Sequence, residues 1–201
     1  MAVDGLNYGG AVRDRRKMHL SVDPGTALSG VIIMDAVTYD VVYAADVPPA
    51  SVDSFFVYAN PIVVSGCVYD ISGIYSLSVE DIVCMGFNAG KSLFDTAKMI
   101  GDIRTGWRIG NDGELSIIPR PDVKTHMCGS SSKRSDTGRL KAITDTDVKR
   151  AVMVKYAPTG GGKTPEVGTK KEPGPLFCMK GLKHAWQALA LGVTFLETRN
   201  L

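Results

Sequence analysis

The stretch from Leu20 to Asp46, LSVDPGTALSGVIIMDAVTYDVVYAAD, limits most strongly what this chain can become. It holds three apolar runs, Leu20 to Val22, Gly30 to Met34 and Val41 to Ala45. Turn-forming residues divide them: Pro24-Gly25-Thr26 first, then Asp35 and its neighbours. Short runs cut by such signals predict a three-stranded antiparallel meander. The first run ends in Asp23, followed by Pro and Gly. An acid there initiates a turn, or it points from the end of a buried strand into a site. A second acid later in the chain decides between the two.

The remaining chain must cover both faces of that meander. Its 201 residues suit one domain with a real core, and 44% hydrophobic with 22% charged residues is an ordinary globular balance. No apolar run reaches the length of a membrane span. The start, MAVDGLNYGGAVRDRRKMH, lacks the apolar centre of a secretory signal. Cys67, Cys84, Cys128 and Cys178 form no C-x-x-C pair, which argues against a zinc site or disulfide framework and fits a reducing cytoplasm.

The net charge of +2 hides an asymmetry. Lys124 to Lys183 carries thirteen Lys and Arg against five Asp and Glu, whereas the rest is acidic. A basic surface beside a carboxylate cluster suits phosphodiester chemistry, although a solvated basic loop has the same composition.

Residues 1–18 read as a flexible basic arm. Phe55 to Ala59 reads as a short helix ended by Pro61, and Ile62 to Tyr69 as a β-branched run. Tyr75 to Val79 forms another strand, ending in Glu80-Asp81. A strand parallel to the first would set Glu80 beside Asp23. A helix over 91–109 follows, with Leu93, Phe94, Ala97, Ile100, Ile103 and Trp107 at helical spacing. Leu115 to Ile118 is a strand, and Pro119 to Pro121 a break. His126 reads as a packed histidine. Residues 131–141 are a mobile basic insertion, 144–156 a helix with Asp145 in its first turn as a candidate cap, and 157–175 a Gly/Pro/Lys loop. The last helix, 182–198, buries one face through Trp186, Leu189, Ala190, Val193 and Leu196, with His184 and Gln187 near its start. Gly90-Lys91-Ser92 and Gly162-Lys163-Thr164 fail as P-loops, because Met85 and Ala157 stand where the first glycine belongs.

Four strings in order carry a resemblance. They are Asp23-Pro24-Gly25-Thr26 with Ser29-Gly30; Glu80, Gly86 and Gly90-Lys91-Ser92 with Phe94, Thr96 and Ile100-Gly101; Val123-Lys124, His126 and Cys128-Gly129-Ser130; and Lys171-Glu172-Pro173-Gly174-Pro175 with His184, Trp186 and Ala188-Leu189-Ala190. Together they resemble the RuvC-like Holliday junction resolvases of phage and prophage type, within the RNase H-like superfamily. The resemblance spans about Leu20 to Glu197 and departs at the last helix. There the family's Asp-x-x-Asp reads His184 and Gln187.

The resemblance implies an α/β fold: an RNase H-like mixed five-stranded sheet, its antiparallel meander extended by parallel strands and flanked by helices. A single domain over 19–201 would carry basic insertions at 131–141 and 157–175. The implied activity is Mg2+- or Mn2+-dependent hydrolysis of four-way or branched DNA, leaving a 5′ phosphate and a 3′ hydroxyl. Asp23 would bridge two ions, Glu80 would hold one and His184 would complete or orient the other. Lys91 and Lys124 would contact phosphates, with Lys133, Arg134, Lys163, Lys170, Lys171 and Lys183 as outer contacts. A homodimer would match the two-fold symmetry of a junction, and the apolar face of the 91–109 helix is a candidate surface for it. A flap nuclease on the same fold and a non-catalytic DNA-binding or assembly protein are the alternatives.

Overall fold

The computed structural model describes the chain apart from residues 1–16, 56–61, 65–66, 70–73, 84–89, 135–137, 157–166 and 200–201, and of 62–64 and 67–69 the backbone alone. The basic arm, the Phe56 to Pro61 segment and Lys163 therefore lie outside the described residues. The central sheet has the order β3-β2-β1-β6-β7. Here β1 is Met18–Asp23, β2 Ser29–Asp35, β3 Val41–Val47, β6 Ile74–Asp81 and β7 Glu114–Pro119. The first three strands form the antiparallel meander, while β1–β6 and β6–β7 pair in parallel. Two short strands, β4 (Ile62–Val64) and β5 (Cys67–Tyr69), form a separate antiparallel pair, and a 3-10 turn covers Pro49–Phe55.

Side chains alternate across β1 and β6, so each strand serves two layers. On one face Leu20, Val22, Leu77 and Val79 pack with Ile100, Ile103 and Trp107 of α1 (Lys91–Gly110). The other face meets α4 (Ala185–Arg199), α2 (Arg120–Cys128) and α3 (Asp145–Tyr156), with Ile32 and Met34 contributed by β2. Every residue of α4 from Ala185 to Leu196 is buried, so the expected one-sided helix is enclosed all round. Small residues permit this. A Cβ on Gly192 would lie 2.8 Å from both Ser21 Oγ and Met34 Sδ, so α4 rests directly on the sheet.

One expectation fails in the second half. The Pro119–Pro121 break is the start of a helix: Pro119 is the residue before α2 and Pro121 lies in its first turn, where a missing N–H costs nothing. Within the basic insertion at 131–141, the described residues form an antiparallel pair, β8 (Ser132–Arg134) and β9 (Leu140–Ala142). Among the described residues, no helix is long and apolar enough to cross a membrane.

Candidate active site

Asp23 and Glu80 end neighbouring parallel strands. Val22 is paired with Val79, so the next residue on each strand carries its acid to the same edge and the same face. Both are buried, at 7% and 4% exposure. The two carboxyls stand close enough to bear on each other's ionisation. Burial pushes Asp23 up to about 6 and, with the adjacent Asp23 charge, Glu80 up to about 8. Between them the pair therefore holds a proton more tightly than two ordinary carboxyls would.

A cation answers the pair from one side. Arg120, the first residue of α2, places Nη1 2.9 Å from Glu80 Oε1 and Nη2 2.7 Å from Asp145 Oδ1. Lys124, one turn further along α2, donates to the carbonyl of Ile143 at 2.8 Å and stands 3.7 Å from Asp145 Oδ1. A cavity of about 280 Å³ opens here, lined by Asp23, Glu80, Leu93, Arg120, Lys124 and Ile143. Ser131, just before β8, and Ala142, the last residue of β9, form part of its wall.

His184 lies just before α4 rather than on it, with Nδ1 3.7 Å from Asp23 Oδ2, beyond hydrogen-bond reach. Two residues fix it there. Asp46, at the end region of β3, accepts from the backbone N–H groups of Lys183 (2.7 Å) and Ala185 (2.8 Å). Gly30, the partner of Asp23 on β2, lets that backbone approach, since a Cβ would come within 2.3 Å of the His184 carbonyl. Gln187 is buried and turns its amide towards the Asp145 carbonyl at 3.4 Å. Asp145 does not cap α3. The reciprocal cap is Thr144 with Asp147, whose carboxylate accepts from the Thr144 N–H and hydroxyl while Thr144 Oγ1 accepts from the Asp147 N–H.

Among the described residues, no three His, Cys, Asp and Glu side chains are gathered as a ready ligand cluster. Two carboxylates meet, and His184 stands next to them. Lys124 lines the cavity, whereas Lys91 is exposed at the start of α1 and does not. Lys133 is held by both oxygens of Asp147 at 2.7 Å, and Arg134 reaches the Gly138 carbonyl at 3.4 Å. Lys170, Lys171 and Lys183 are exposed outside the cavity. His126 sits away from the site as a half-buried partner of Glu197, at 2.8 Å, and Lys155 shares that carboxylate.

The sequence reading missed Arg120, Asp46 and the role of Asp145. One signal was available for the acids themselves: Leu-Ser-Val-acid occurs at both 20–23 and 77–80, and those strings pair in register. Nothing local marks Arg120, which lies between two prolines.

No protein-family model matches the chain, and no characterised protein matches it by sequence. Solved structures do match it. Thermus thermophilus RuvC bound to a Holliday junction substrate superposes with a TM-score of 0.55 at 11% identity, covering 92% of this chain and 96% of that one. A second T. thermophilus RuvC structure gives 0.55 at 12% identity, covering 91% and 96%. At this identity the likeness shows the fold: a mixed five-stranded sheet flanked by helices, of the RuvC and RNase H-like kind.

Proposed function

We propose that this protein is a divalent-metal-dependent endonuclease that cuts branched DNA, with the four-way junction as its substrate, in recombination or phage DNA processing. The observation that carries the reading is the convergence of Asp23 and Glu80 in a cavity edged by Arg120 and Lys124. Two buried carboxyls in contact cannot both ionise without added positive charge, and hard oxygen donors suit Mg2+ or Mn2+. The donor set therefore fits such an ion, held by Asp23 and Glu80 with His184 as a third donor. When bound, the metal would supply charge stabilisation at the scissile phosphate and activation of water. The chain's own part is to hold two acids on rigid strand ends, where their positions vary little. Lys124, pinned by the Ile143 carbonyl, offers a fixed positive charge to the DNA backbone. The RuvC–junction complex supports a branched substrate, and a homodimer would present two such sites to symmetric strands.

A second reading, a non-catalytic junction binder, is favoured by one observation. The residue one turn after His184 is Gln187, and its amide faces a backbone carbonyl. Incubation with a synthetic four-way junction, a flap and a linear duplex, each with Mg2+ or Mn2+, separates the two. The nuclease reading expects paired symmetric cuts in the junction, lost in Asp23→Asn and Glu80→Gln. Junction binding with no cut in any substrate would establish the binder instead.

A further inference from the structure

The metal reading of the Asp23–Glu80 pair leaves one charged group unexplained. Arg120 spans Glu80 and Asp145 with separate nitrogens, at 2.9 and 2.7 Å. Glu80 is nearly inaccessible at its side chain (5%), whereas Arg120 and Asp145 are exposed to 37% and 59%. The guanidinium thus reaches inward from the cavity mouth to a buried acid, with its other side held by a surface acid. A guanidinium on Glu80 and a divalent ion on the same carboxylate are like charges at contact distance, competing for the same lone pairs. Asp145 provides the release position: after leaving Glu80, Arg120 keeps one anchor at the mouth. The start of α3, where Asp145 sits, is braced by Gln187 and by the Thr144–Asp147 cap.

Resting on the proposed metal site, we infer that Arg120 is a built-in cation that occupies Glu80 in the metal-free protein and must be displaced from it when the divalent ion binds. Arg120 is then a positioning residue. It keeps the buried acid oriented and compensated until metal arrives, and afterwards it stays tethered to Asp145 at the entrance of the cavity.

Calorimetric titration of Mg2+ and Mn2+ into the full chain tests this, with wild type, Arg120→Gln and Lys124→Gln compared at one pH and ionic strength. Two buffers of different ionisation heat count the released protons, so that affinities are compared after that correction. Displacement predicts that Arg120→Gln binds the first ion tighter, by roughly tenfold. Lys124→Gln removes an equal charge that does not touch Glu80, and its gain should be clearly smaller. A strut that stays on Glu80 predicts equal or weaker binding in Arg120→Gln, which overturns the inference while leaving the metal site standing. No binding in wild type or in folded Arg120→Gln overturns the inference and the metal reading together. Binding only in Arg120→Gln supports the inference in its strongest form. A readout free of variants completes the test: in wild type, the guanidinium nitrogen resonances of Arg120 should shift on Mg2+ saturation. Resonances unchanged at saturation overturn the displacement.

Discussion

Strands β1 and β6 carry two buried polar clusters on the same face, four residues apart, and they are built in opposite ways. At the near end His19 places Nδ1 2.8 Å from Ser76 Oγ and Nε2 2.9 Å from Ser78 Oγ. Its ring stacks on Phe195 at 4.5 Å. Burial, with Arg199 nearby, pushes His19 down to about 3, so it is neutral and both ring nitrogens are satisfied. At the far end Asp23 and Glu80 are nearly as buried, hold protons more tightly than ordinary carboxyls, and lean on Arg120. The first cluster closes on itself and needs nothing more. The second is held by a cation at its mouth and opens into a cavity. Burial of polar groups is thus not by itself a sign of function; ionisable acids that meet at an opening are a better one.

The widest gap between the clusters should appear in paired substitutions. Asp23→Asn is expected to lower junction cleavage by at least about 10²–10³-fold, the scale on which a group stabilising transition-state charge acts. Its melting temperature should be unchanged or higher, since a buried carboxyl is replaced by a neutral amide. His19→Ala is expected to do the reverse. It leaves a cavity beside Phe195 and two serine hydroxyls without partners, at a cost of about 3 kcal/mol. Its Mn2+ affinity, measured below the melting temperature, should stay at the wild-type value. A large stability loss in Asp23→Asn, or loss of metal binding in His19→Ala, would erase the distinction.

Acid and base titrations should separate the clusters with opposite signs. Glu80 moves from an ordinary 4.5 up to about 8 on folding, so between those values the native state holds more protons than the unfolded chain. Its contribution to stability is present below pH 4.5 and is lost as pH rises towards 8. His19 moves from 6.5 down to about 3, so there the unfolded chain holds more protons. Its contribution is present above pH 6.5 and is lost as pH falls towards 3. Denaturation of the metal-free protein across pH 3 to 9 should show both limbs. Asp23, raised from 3.8 to about 6, adds a loss of the same sign at lower pH, so Glu80→Gln should flatten the part of the upper limb above pH 6. Saturating Mg2+ should restore that limb too, by about 2.7 kcal/mol at a hundred times its dissociation constant.

The two halves of the chain were unequally legible. Asp23 and Glu80 could be placed because strands project alternate residues to one face, and each strand announces its end with an acid. The meander was readable for the same reason: its register follows from short turns and from apolar runs of strand length. What failed were features fixed by tertiary contact. Pro119 and Pro121 look like a break in one dimension but cap and begin α2 in three. Asp145 looks like a helix cap until Arg120, twenty-five residues away, takes its carboxylate. Asp46 was simply the end of an apolar run, although its carboxylate holds the backbone on both sides of His184. Such groups are found by charge complementarity across the fold, which local spacing does not encode.

A smaller effect probes how rigidly His184 is delivered. Gly30→Ala would drive a methyl group into the His184 backbone, and backbone cannot rotate away as a side chain can. The start of α4 must shift, with an expected cost of about 1–3 kcal/mol. Because Asp23 and Glu80 lie on strands that need not move, cleavage should fall less than in Asp23→Asn. Equal losses would mean that the position of His184 matters as much as that of the acids.

The smallest effect concerns the outer basic residues, and it extends the contrast from buried acids to surface cations. Lys124 is 20% exposed at its side chain and fixed by a backbone carbonyl inside the cavity, whereas Lys133 is 45% exposed and already neutralised by Asp147. Lys124 is tied to a neutral carbonyl and only loosely to the Asp145 carboxylate at 3.7 Å, so it releases a counterion when DNA binds; Lys133 must first give up a carboxylate that holds it at 2.7 Å. Lys124→Ala should therefore lower the slope of log affinity against log salt for a four-way junction by about one. Lys133→Ala should change that slope less and leave the melting temperature unaltered, because exposed pairs of this kind contribute little. Equal slopes for the two variants would mean that the Asp147 pair opens freely on the DNA, and that the β8–β9 wall joins the binding surface on the same footing as the cavity.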